Sequence, residues 1–286
     1  MAKGTKLAFA KMHGGGNDFV LIDAVRQQIP PTLDFSRLAN RRVGVGCDQV
    51  LILQPPLDDT ADFCYRIINA DGGEVGQCGN GARCAHLLVR RWGLSSKARL
   101  RLQTTHTDII TEDTDGGLVR AYLATPQFAP PAIPLGRERE ADFYTAELVG
   151  ETRQFAALSL GNPHAVFFVT AEPAVIDDIG MALNADKTLF PAGVNAGFCH
   201  ATESGLQVRV YERGVGETPS CGSGAVAAAV AAIRAGIAHS PVTVQMKGGV
   251  LRCGWDAPTK PAWLEGPVTY AFDGELSTAD FSRPKQ

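Results

Sequence analysis

Two cysteines, Cys78 and Cys221, each stand in front of a small glycine-spaced tripeptide, in "CGNGARC" and "CGSGAVA". A stretch that reads as helix follows each. A thiol at the start of a helix faces unpartnered backbone N–H groups and the positive end of the helix dipole. Such surroundings lower a thiol from its free value of about 8.5 into the range ~3.5–7.5. The same N–H groups can cradle a carboxylate or phosphate. Gly79, Gly81, Gly222 and Gly224 let a ligand approach the backbone without a Cβ in the way. Each phrase therefore offers an activated thiol beside an anion cradle. Two of them, facing one carbon, suit stereoinversion: a thiolate takes a proton from one face while a thiol returns one to the other.

Other chemistries fit less well. A glycine turn after one cysteine is an ordinary strand-to-helix connection, and it is the matched pair that points to function. A metal site at Cys78, Cys84 and His86 fails on helix geometry, because residues six apart are rotated by roughly 240°. The C-x-x-C spacing of a zinc site is absent, and no metal is expected. "HGGG" (His13–Gly16) lacks the G-x-S-x-G elbow of an esterase, and no phosphate-binding loop of nucleotide enzymes appears. Three alternatives stay open on the residues: a thiol redox couple, a non-catalytic amino-acid binder, and a racemase of another amino acid such as proline.

The elements that must position the thiols come in two sets. "GNDFVLID" (Gly16–Asp23) is echoed by "GNPHAVFFV" (Gly161–Val169), and "INADGGEVGQCGNGA" by "VYERGVGETPSCGSGA". From Asn17 to Cys78 is 61 positions, and from Asn162 to Cys221 is 59. This reads as a duplicated domain, residues 1–127 and 128–286, with the seam in the proline-rich "ATPQFAPPAIPLG". The C-terminus is a candidate source of a closing strand for the first half. "RLRLQTT", "LQVRVYE" and "VTVQMK" alternate as half-buried strands do, while "DFCYRII" and "HAVFFV" are β-branched and aromatic. One strong helix per half follows the cysteine phrase, closing near Gly93 and Gly236. The second is apolar all round until Arg234, so burial on every side is expected. "DFSRLANRRVG" and "VIDDIGMALN" read as outer helices. The fold class expected is α/β (α+β): two pseudo-symmetric domains, each a curved, mostly antiparallel sheet wrapped around a central helix.

Composition sets the outer limits. The 286 residues are 45% hydrophobic with net charge −3, which gives no footprint for nucleic acid or a membrane surface. No apolar run approaches the ~18 residues of a membrane span, and the N-terminal residues lack a secretory pattern. A cytoplasmic location is expected. The seven cysteines, at 47, 64, 78, 84, 199, 221 and 253, are odd in number and scattered. They read as mostly buried small hydrophobes rather than a disulfide framework.

Taken together, "KMHGGGNDF", "GVGCDQ", "NADGGEVGQCGNGARC", "GNPHAVFFV", "FPAGVNAGF", "RVYERGVGET" and "CGSGA" resemble the diaminopimelate epimerase family in content and order. The resemblance spans nearly the whole chain. It implies the pyridoxal-independent interconversion of LL- and meso-2,6-diaminopimelate, with no cofactor, a small-molecule substrate and a homodimer. It implies that Cys78 and Cys221 are the acid/base pair. The backbone of Gly79, Asn80, Gly222 and Ser223 would hold the reacting carboxylate. Asn17, Gln49, Asn69, Asn162, Asn195, Glu212 and Arg213 would line the remaining pocket, and His164 and Glu212 would support proton handling. These residue types suit a substrate charged at both ends. Arg213 offers a planar fork to a distal carboxylate, while the amides and Glu212 can take ammonium groups. Cys47, although inside a motif, reads as packing.

Overall fold

A computed structural model describes residues 5–105, 107–169 and 173–282 of the chain. The architecture is mixed α/β and dominated by sheet. The chain divides into two compact units, one of residues 1–121 together with 267–286, the other of residues 122–266.

In the first unit the strands pair in the spatial order Thr269–Ser277, Lys6–Gly14, Asn17–Asp23, Gln49–Gln54, Phe63–Asn69, Arg99–Gln103, Ile109–Asp113. Two of these pairings are parallel, Asn17–Asp23 with Gln49–Gln54 and Phe63–Asn69 with Arg99–Gln103, and the others are antiparallel. Helix α1 (Phe35–Ala39) lies outside this sheet; helix α2 (Gly79–Arg91) packs on its other face. Helix α2 touches both Lys6–Gly14 and Ile109–Asp113, strands near opposite ends of the row, so the sheet must curve around it. Because both faces are covered, "VLIL" at residues 50–53 is buried throughout rather than alternating. The outer face packs Leu7, Val20, Ile22, Val50 and Ile52 against Leu38 of α1.

The second unit repeats the pattern. Its order is Tyr144–Leu148, Glu151–Ser159, Pro163–Phe168, Asn195–Thr202, Gly205–Glu212, Val242–Met246, Gly249–Gly254, Trp263–Gly266. Again two pairings are parallel, at equivalent places in the row. Helix α3 (Pro173–Ala185) covers the outside, where Phe155, Phe167, Phe190 and Phe198 form the core. Helix α4 (Gly222–Arg234) is enclosed by the sheet, touching seven of its strands, and Gly224–Ala232 are all buried.

The two enclosed helices end alike. Gly93 (φ 66°) donates to Arg90 O at 3.1 Å and Leu94 to Val89 O at 2.9 Å. Gly236 (φ 71°) donates to Ile233 O at 3.1 Å and Ile237 to Ala232 O at 2.9 Å. Both are Schellman closures, which need the left-handed conformation that glycine adopts without strain. The outer helix expected over "DFSRLANRRVG" is shorter than its sequence suggested. Asp34 caps it, but the Asn40 side chain accepts from Arg42 N and Val43 N and turns the chain out of the helix after Ala39.

Candidate active site

The start of α2 is capped by Cys78, whose extended backbone (φ −151°, ψ 102°) lets Sγ accept from Gly81 N at 3.3 Å. Residue 81 is glycine because of the sheet behind it. A Cβ there would run into Tyr65 Oη and sit 3.0 Å from Leu51 Cδ1. Asn17, at the start of its strand, presents Oδ1 to Cys78 Sγ at 3.9 Å and donates Nδ2 to Asp48 at 2.7 Å. Gln49 and Asn69 are cross-strand partners, joined by Gln49 Nε2 to Asn69 Oδ1 at 2.9 Å. The Gln49 Oε1 atom is buried and has no donor among the described residues. Gly79 and Asn80 form the first helical turn; the Asn80 side chain accepts from the fully buried Arg83 at 2.8 Å.

Cys221 caps α4 in the same extended conformation (φ −130°, ψ 106°), with the Gly224 backbone N–H turned to its sulfur. Its Sγ lies 3.6 Å from Ser223 Oγ. Gly224 repeats the role of Gly81, since a Cβ would lie 2.7 Å from Val210 Cγ2. Asn162 donates Nδ2 to Ser223 Oγ at 3.5 Å and accepts at Oδ1 from His164 Nε2 at 3.0 Å. An amide oxygen can only accept, so His164 carries its proton on Nε2. Burial, with Arg213 nearby, pushes this imidazole down to about 3, so it is neutral. Asn195 pairs in register with His164 and accepts from Arg213 N at 2.9 Å. The exposed Arg213 also donates Nη1 to Ala192 O at 2.7 Å. Gly193 (φ 72°) makes room for it, because a Cβ would meet Arg213 Cδ at 2.8 Å. Glu212 accepts from Thr218 Oγ1.

The expectation that both helix ends lower their thiols is corrected at Cys221. Burial, and then the Glu212 carboxylate, drive this thiol well above its ordinary value despite the Ser223 hydroxyl. Removing a thiolate from water costs more here than the helix end returns. The other cysteines are packing residues. Cys47 is pushed up to about 11 by burial within the outer core, and Cys84 and Cys199 are each pushed up to about 12. Among the described residues no cluster of three His, Cys, Asp or Glu side chains could hold a metal ion. None of the helices among them is long and apolar enough to cross a membrane.

Sequence reasoning passed over one constellation. Asp18 and Asp48, beside the predicted Asn17 and Gln49, interlock with Lys11 and Arg41. Arg41 reaches both oxygens of Asp18, at 2.6 and 3.0 Å, and Asp48 at 2.8 Å; Lys11 meets Asp18 at 2.6 Å. Burial pushes the Asp18 carboxyl up, but Arg41 and Lys11 outweigh it and hold it far below the carboxylate range. The signal was present, since the acids sit inside the motifs "KMHGGGNDF" and "GVGCDQ", directly next to candidate ligands.

These two capped helices, each inside a curved sheet, define the class of fold. A hydroxyproline epimerase from Agrobacterium vitis superposes with TM-score 0.66 at 14% identity, covering 95% of this chain and 92% of its own. A methylitaconate-delta-isomerase gives 0.67 at 12% identity over 100% and 99%. The fold is thus one shared with these two proteins, a curved sheet around a capped helix built twice. The sequence narrows it further. The family described as "Diaminopimelate epimerase" matches residues 9–128 and 156–271. The diaminopimelate epimerase of Aromatoleum aromaticum is 43% identical over 272 residues, 94% of this chain and 98% of the relative. That of Nitrosospira multiformis is 44% identical over 274 residues, 95% and 98%. The chain belongs to the diaminopimelate epimerase family.

Proposed function

We propose that the protein interconverts LL- and meso-2,6-diaminopimelate, serving lysine and peptidoglycan precursor synthesis as a cytoplasmic homodimer without a cofactor. The observation that carries this reading is the pair of Cys-capped helices, found in a chain whose relatives bear the epimerase name.

The chemistry follows from the caps. The substrate's reacting carboxylate takes N–H donors at the helix starts, from Gly79 and Asn80 and from Gly222 and Ser223. Those donors and the helix dipoles offset the charge that builds up when the α-proton leaves. One thiolate takes that proton and becomes a thiol; the other thiol gives its proton to the opposite face and becomes a thiolate. Protons balance, and the two groups exchange roles for the return reaction. Asn17, Gln49, Asn69, Asn162, Asn195, Glu212 and Arg213 hold the remaining ammonium and carboxylate groups, and His164 fixes Asn162.

The test is incubation of purified protein with LL-diaminopimelate in deuterium oxide. Inverted product should carry deuterium at its α-carbon early in the reaction, while recovered starting isomer stays largely unlabelled. Equal early labelling of both, run from either isomer, would mean a single base and would sink the two-thiol reading.

A further inference from the structure

We infer that Asp48 is a positioning residue for Cys78 and acts through Asn17. An ionised carboxylate only accepts hydrogen bonds. Asp48 Oδ2 therefore commits the Asn17 nitrogen to itself, at 2.7 Å, and leaves Oδ1 as the edge turned to the thiol. Asp48 is itself held from several sides. Its Oδ2 also accepts from Asp18 N at 3.0 Å, its Oδ1 accepts from Arg41, and its own N–H reaches Asp18 O and Oδ1, both at 3.0 Å. Two carboxylates and two cations, Asp18 and Asp48 with Lys11 and Arg41, thus form a balanced clasp whose one product toward the site is the orientation of an amide.

That orientation matters to a group that must carry its proton in one half-reaction and lack it in the other. Gly81 N–H favours the thiolate of Cys78, and Asn17 Oδ1 favours the thiol. With the amide reversed, Cys78 would meet donors from both and be biased toward thiolate. Tyr65 on its own strand and Cys84 on α2, which also lie close to it, stay in place.

The inference rests on Cys78 being one of the two proton-transfer groups, but its test reads the thiol itself, so the two can fail separately. Alkylation of intact protein by iodoacetamide, mapped to the Cys78 peptide, would be followed across the range of thiol ionisation. Asp48→Asn should move the midpoint down by about half a unit to one unit. Loss of a negative charge acts in the same direction, so the measurement is repeated in Asn17→Ala. There, Asp48→Asn should move the midpoint by less than half as much, because the route through the amide is gone. An equal shift with and without Asn17, or no shift in either, would overturn the inference. Asp48→Ser, at this partly exposed loop position, serves as the second variant with the same expectations.

Discussion

The asparagine at the head of the third strand in each row, Asn17 or Asn162, is held by a carboxylate in the first unit and by an imidazole in the second. Register makes the two places equivalent. Phe19 pairs with Gln49 and His164 with Asn195, so the position two residues after the asparagine is phenylalanine in one unit and histidine in the other. Residue 48, just before Gln49, is aspartate; residue 194, just before Asn195, is a buried valine. The orienting group has thus moved from one strand end to its neighbour, and the amide has turned over. Asn17 shows Cys78 its oxygen, whereas Asn162 sends its nitrogen toward Ser223. One scaffold built twice supplies two different proton environments. Cys78 is partly exposed between an N–H and an amide oxygen, while Cys221 is buried beside a carboxylate that, with burial, favours its protonated form.

The sharpest test of likeness beneath that difference is removal of each thiol. Cys78→Ala and Cys221→Ala should each lower epimerisation about 10³-fold or more, within the range that general acid–base groups contribute. Cys84→Ala and Cys253→Ala should stay within a few-fold. Parent-level turnover in either helix-cap variant would end the comparison.

The next test concerns the glycines behind the thiols. Gly81→Ala and Gly224→Ala should each cost about 1–3 kcal/mol in thermal unfolding, because the new methyl must displace Tyr65 or Val210. Only the first should be repaired by deleting a hydroxyl. Tyr65 Oη is buried and has no hydrogen-bond partner among the described residues, so Gly81→Ala with Tyr65→Phe should recover most of the loss. Additive losses in that double variant would show that the crowding lies elsewhere.

A smaller effect separates the thiols electrostatically. Glu212 raises the Cys221 thiol, so Glu212→Gln should bring its alkylation midpoint down while leaving that of Cys78 unmoved. A shift at both, or at neither, would contradict the assignment. Without effect at neutral pH is the titration of His164. Its folded value, about 3, lies below the ordinary 6.5, so the unfolded chain takes up the proton first as pH falls. His164 therefore withdraws stability progressively from about pH 6.5 down to about pH 3 and leaves stability above that window untouched. An NMR signal from its ring that titrated near pH 6.5 would refute the buried, neutral assignment.

The helices, their thiol caps and the glycine closures were legible because each is local. Dipeptide chemistry at a helix end declares itself in four or five residues, and the repeat doubled the signal. Less legible was why Gly81 and Gly224 are glycine. They read as openings for a ligand, but each also makes room for a side chain of a strand more than ten residues earlier in the chain. The length of α1 was misread because a single asparagine side chain competed successfully with helix propensity. Asp48 and Arg41 were missed for a related reason. A charged pair on a loop reads as solvated surface until folding brings Asp18 beside it.

The first unit is closed by a strand from the far end of the chain: Thr269–Ser277 lies along Lys6–Gly14, beyond the whole of residues 122–266. On the ribosome, the second unit is therefore complete before the first can be. Until residues 269–277 emerge, one edge of Lys6–Gly14 lacks its native neighbour, and unpaired edges recruit other chains. A nascent chain stalled near residue 266 should thus be more prone to aggregate than one released whole. Fusing the C-terminal segment ahead of residue 5, in a circular permutant opened near residue 267, would let the first unit close its own edge as it is made.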